Sequence, residues 1–102
     1  MKLHIKRSHF NNPGKRTVFL VEYKYEMTAD EKSLFDKFAH DFSALGKYQI
    51  PKQAINNVWR SEFSTVQSAE EFIYGHREVF AHATAILEAI SLYVNAAEET
   101  IE

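Results

Sequence analysis

Cysteine is absent from the chain, which removes disulfides, thiol nucleophiles and thiolate metal sites together. Glycine and proline are scarce, three and two in 102 residues, which leaves little material for loops that cradle phosphate. No apolar run approaches the ~18 residues of a membrane span. The first residues, Met1-Lys2-Leu3-His4-Ile5-Lys6-Arg7, alternate charge with apolarity and lack the apolar stretch of a secretory signal. The cytoplasm is therefore the expected compartment, with no membrane partner. Neither sign of charge dominates. Twelve Lys and Arg stand against fourteen Asp and Glu, a net of −2 that favours neither nucleic acid nor a membrane surface.

What is present reads as globular. Hydrophobic residues make up 45% and charged residues 25%, the proportions of an ordinary folded domain. Eight Phe and five Tyr are too many for a chain that stays disordered. The length suits a single domain over residues 1–102, large enough to bury about two-thirds of its unfolded surface. The charge is unevenly spread. Residues 1–26 hold six Lys and Arg against two Glu, a net of +4; residues 27–102 hold six against twelve, a net of −6.

Leu3 and Ile5 alternate with Lys2, His4 and Lys6, the period-2 pattern of a half-buried strand. Asn11-Asn12-Pro13-Gly14 supplies four turn formers. Thr17 to Glu26 is then the strongest strand signal in the chain, with Phe19, Val21, Tyr23 and Tyr25 on one face. Together these read as a β-hairpin. Thr28-Ala29-Asp30-Glu31 is a capping box, and Leu34, Phe35, Phe38 and Phe42 follow at helical spacing, so a helix is expected over 29–43 with Gly46 as its stop. Residues 47–67 are ambiguous. Ile50-Pro51 excludes a helix interior, 54–59 fit a short helix or a strand equally, and 62–67 form a candidate third strand.

Ser68-Ala69-Glu70-Glu71 is a second capping box. Beyond it there is no proline, and Gly75 is the only glycine. Apolar residues recur at steps of three and four from Phe72 to Ile101, and alanine is frequent. A helix over 69–99 would be about 46 Å long at ~1.5 Å per residue. A compact chain of this size has a radius of gyration near ~13 Å. The helix therefore outruns its body, unless it breaks at Gly75. The stripe through Ile86, Ile90, Val94, Ala97 and Ile101 is the expected interface of a homodimer.

Other candidate sites are weaker. Lys2, Lys6, Arg7, Lys15 and Arg16 could line a basic ribbon that meets nucleic acid, although edge lysines also serve to deter aggregation. His76 and His82 are six apart and point different ways on a helix. Glu71, Glu78 and His82 share a face that reads as solvated rather than metal-binding. There is no Gly-x-Ser-x-Gly and no phosphate loop, so neither catalysis nor a cofactor is expected. Trp59 is either a binding anchor or, more commonly for such a residue, packed beneath the linker.

The expected architecture is α+β: an N-terminal antiparallel hairpin packed on a short helix and a long C-terminal helix. Phe19, Val21, Phe35, Phe38, Phe42, Phe72, Val79, Phe80, Ile86 and Leu87 are its expected core. The expected function is a non-catalytic, self-associating protein that binds another protein, with nucleic-acid binding through the ribbon as the rival.

Overall fold

The computed structural model describes residues 1–11, 13–44, 46, 49–96 and 98–102. Its elements are β1 (Lys2–Asn11), β2 (Thr17–Glu26), α1 (Ala29–Lys37), α2 (Ala39–Ser43), a single 3₁₀ turn (Lys52–Ala54), β3 (Trp59–Phe63) and α3 (Val66–Asn95). The strands make one antiparallel sheet in the order β1-β2-β3, and the fold is α+β as the sequence implied.

The hairpin pairs Lys2 with Glu26 at one end and Asn11 with Thr17 at the other. Gly14 takes φ +74°, a backbone that glycine adopts without steric cost. Asn12 of the turn motif lies outside the described residues. Val21, Tyr23 and Tyr25 are buried on one face, and their opposite numbers on β1 include Leu3 and Ile5, which are half-buried beside them. The even-numbered residues of β1 face solvent.

Four boundaries differ from the sequence reading, one of them the end of α3, at Asn95 rather than 99. The third strand is Trp59–Phe63 rather than 62–67, because its register is set by pairing with Phe19–Tyr23 of β2. Thr65, read as strand, instead caps α3: its hydroxyl accepts the Ser68 N–H at 3.1 Å. Hence α3 begins at Val66, and Ser68, expected as the cap, is its third residue. The expected helix over 29–43 is two helices. Phe38 leaves helical geometry (φ −111°, ψ 37°) with neither proline nor glycine to mark the spot. In a straight helix residues seven apart are ~10.5 Å apart along the axis. The bend lets the Phe42 ring lie 4.8 Å from Phe35. The capping box at Thr28 and Glu31 forms as read, with bonds of 3.0 and 3.1 Å.

α3 runs through Gly75 unbroken for 30 residues, about 45 Å. It joins two halves. Phe72 and His76 pack on Tyr23 of the sheet, whereas Ser91, Val94 and Asn95 lie beside Asp30, Ser33 and Leu34 of α1. The molecule measures 69 × 26 × 19 Å, with a radius of gyration of 17.3 Å against the ~13 Å of a compact chain this size. One apolar cluster nevertheless extends from Val21 to Ile90, and all ten expected core residues belong to it or pack on it. Asn56 closes the end of β2. At φ +55° it donates its N–H to the Tyr25 carbonyl (2.8 Å) and accepts the Met27 N–H on its side-chain oxygen (2.8 Å).

Candidate interaction surfaces

The far end of α3 carries the largest exposed apolar group on a regular element. Leu92 is 69% exposed, Tyr93 83% and Val94 46%. Consecutive helical residues step round the axis by 100°, so these three span an arc of about 200°. Val94 lines a hollow with Asp30, Ser33 and Leu34 of α1, so the most exposed pair is Leu92 and Tyr93. The residues expected at the interface are unequally exposed. Ile90 is only 8% exposed and belongs to the core cluster, and Ile86 packs against it. Ile90 is covered within the chain, since α1 and α2 pack on α3, whereas Ile86 is half-buried. Val94 and Ile101 are exposed, and Ala97 lies outside the described residues. Leu92 was missed because it lies off the apolar stripe.

The basic residues do not converge. On the solvent face of the sheet Lys2 and His4 both approach Glu26, at 4.0 and 3.5 Å. Lys6 stands opposite Glu22, which itself holds Arg60 at 3.2 Å. Arg7 projects from the opposite face and makes a two-pronged pair with Glu70 of α3, at 2.8 and 3.0 Å. That pairing holds the Glu70 carboxyl below its ordinary range and raises the Arg7 guanidinium further. Lys15 and Arg16 lie in the exposed hairpin connection. The ribbon is thus interleaved with carboxylates rather than presented as one positive stripe.

β1 is an edge strand with β2 on one side only. Among the described residues no backbone hydrogen bond reaches its other side. Behind it the sheet face is incompletely covered. A groove of about 210 Å³ opens between the second half of β1 and the first turns of α3, with Phe19, Val66, Ala69 and Ile73 supplying its apolar lining and Arg7 and Glu70 its charge. Trp59 sits on the other edge strand, 43% exposed rather than packed as its residue type suggested.

His76 is the one histidine inside the core among the described residues, 6% exposed. The rings of Phe72 and Tyr23 lie 4.5 and 4.6 Å away. Its Nδ1 shares a hydrogen bond of 2.6 Å with the Tyr25 hydroxyl, which also lies 3.3 Å from the His76 carbonyl oxygen. Burial lowers the His76 pKa and raises that of Tyr25. Both groups favour their neutral forms, and the pair is sealed from any substrate. The sequence carried a signal for it, since His76 falls on the apolar stripe between Ile73 and Phe80. Glu71, Glu78 and His82 are all exposed. Among the described residues no three His, Cys, Asp or Glu side chains group as metal ligands, and no helix is long and apolar enough to cross a membrane. No protein-family model, curated protein or solved structure matches the chain.

Proposed function

We propose that this is a small non-catalytic protein that associates with a second copy of itself and binds another protein. The observation that carries the reading is the far end of α3, where Leu92 and Tyr93 are exposed to solvent and Val94 is partly exposed beside α1. Apolar surface of this kind on an ordered helix favours association, at roughly 25 cal/mol per Å² removed from water. A two-fold pair, each α3 end covering the other, is the simplest closed arrangement. Nucleic acid is the less supported partner. Lys2 and Arg7 are already paired with carboxylates, and Glu22, Glu26 and Glu62 share the solvent face with the lysines.

Sedimentation equilibrium tests the reading. The wild type should sediment with a mass above that of one chain. Leu92→Asp and Tyr93→Asp should return it to a monomer with unchanged circular dichroism, because both side chains are exposed. Ile90→Asp is not equivalent, since it places a charge in the core and should unfold the chain. A wild type that stays monomeric at high concentration overturns self-association.

A further inference from the structure

The open edge of β1 and the groove behind it make a second surface, distinct from the end of α3. Four features meet there. The strand is ten residues long, whereas five or six is usual. Its outer backbone edge has no partner among the described residues. Its solvent face presents Lys2, His4 and Lys6 along the outer edge, while the carboxylates that offset them, Glu26 beside Lys2 and His4 and Glu22 opposite Lys6, stand on the inner side, on β2. Its helix side opens onto the apolar groove bounded by Val66, Ala69 and Ile73.

An edge of this kind invites another strand, and the side chains decide which. A second copy of β1 is a poor fit. An antiparallel β1–β1 pair can set the Lys2–His4–Lys6 row against itself, and like charges facing each other across strands are destabilising. The same charges attract an acidic strand. Side chains of an added strand alternate between the two faces of the sheet. One set would lie beside Lys2, His4 and Lys6, and the other would enter the groove against Val66 and Ala69.

We infer that β1 is a docking edge for an extended peptide in which acidic and apolar residues alternate, the acidic set facing Lys2 and Lys6 and the apolar set filling the groove beside α3. The inference deepens the protein-binding half of the proposed function and is independent of the self-association half. Backbone bonds along the edge supply the pairing, the groove selects apolar side chains, and the lysine row fixes which face of the peptide is acidic. The Arg7–Glu70 pair, about half exposed, lines the charged end of the groove and links β1 to α3. A nucleic acid strand would meet the lysines but has no use for the unpaired backbone edge or the apolar groove.

The test uses a fluorescent synthetic peptide of alternating Glu and Val, roughly eight residues long to match a strand. Fluorescence anisotropy at about 50 mM salt should show saturable binding that weakens as salt is raised. Lys6→Glu should lower affinity about fivefold, as expected when a favourable cross-strand charge pair becomes a repulsive one. Val66→Glu should weaken binding without unfolding the chain, since Val66 is exposed at the groove's rim. A peptide of the same sequence with alternate backbone amides methylated keeps its charge but loses the ladder, and one of its two methylation phases should not bind. Equal binding by both methylated phases, or none by the parent peptide, overturns the inference. So does an oligothymidylate that binds as tightly as the peptide and competes with it, because the edge would then be a site for polyanions. The readout does not depend on oligomeric state. Peptide binding by a chain that sediments as a monomer would reject self-association and leave the docking edge standing.

Discussion

The Tyr25 hydroxyl, 2.6 Å from His76 Nδ1 inside the core, keeps that nitrogen from being an unpaired buried polar atom, and it lies 3.3 Å from the His76 carbonyl oxygen as well. Removing one member should cost more than removing both. Tyr25→Phe leaves the imidazole nitrogen without its partner, and we expect a loss of about 1–3 kcal/mol in urea unfolding. Tyr25→Phe combined with His76→Leu should recover part of that loss, and a double variant no better than the single would show that packing, not the hydrogen bond, sets the cost. The same pair gives a pH dependence of known sign. Burial depresses the folded His76 pKa below its ordinary 6.5, and the rings facing it from β2 and from α3 itself (Tyr23, Tyr25, Phe72) carry no opposing charge at neutral pH. The unfolded chain therefore binds the proton first as pH falls. The contribution is complete above the unfolded value and is lost on descending through the depressed folded one, with a slope of at most about 1.4 kcal/mol per pH unit. Stability measured between about pH 7.5 and about pH 5 should fall less steeply in His76→Leu than in the wild type. An unchanged slope would assign the effect to other groups.

Elements were legible where their signals are local. The hairpin announces itself by alternation around a turn, and α1 by a capping box whose two bonds both form. The start of α3 was three residues out because two similar cap patterns overlap: Thr65-x-x-Ser68 and Ser68-x-x-Glu71. The first one forms, since Phe63 must end its pairing with Phe19 and the chain must turn at once. Thr65→Ala should then cost about 1 kcal/mol of stability by urea unfolding, the usual worth of an N-cap. Ser68→Ala should cost less, because its hydroxyl serves only as acceptor for the Thr65 hydroxyl. The reverse order would move the cap back to Ser68. The bend at Phe38 and the position of β3 were not legible, since one depends on how Phe42 meets Phe35 and the other on which stretch of β2 is free to pair. The candidate interface was half legible for a related reason. Periodicity locates the stripe on α3 but not the element that covers it, and the packing of α1 and α2 makes Ile90 core and leaves Ile86 half-buried, while Leu92 and Tyr93 stay exposed.

At the scale of the whole molecule, the long dimension of 69 Å raises the question of whether the sheet end and the helical end stand or fall together. The contacts argue that they do. α3 is one uninterrupted rod through both ends, and Met27 and Asn56 tie the exit of β2 to the segment that leads into β3. Breaking α3 between the halves would expose the stripe on both sides of the break, so partial unfolding gains little entropy for the apolar surface it uncovers. Small deletions at either end therefore serve as probes. Ile73→Val lies beneath the sheet and Ile90→Val at the far end, and each should cost about 0.5–1.5 kcal/mol. Trp59, the only tryptophan, reports on the sheet, whereas ellipticity is dominated by α3. If the chain unfolds as one unit, both variants lower a single midpoint, and the Trp59 emission and ellipticity curves superimpose for each. Should Ile90→Val shift the ellipticity curve and leave the Trp59 curve in place, the helical end opens on its own, and the surface bearing Leu92 and Tyr93 belongs to a separately unfolding piece.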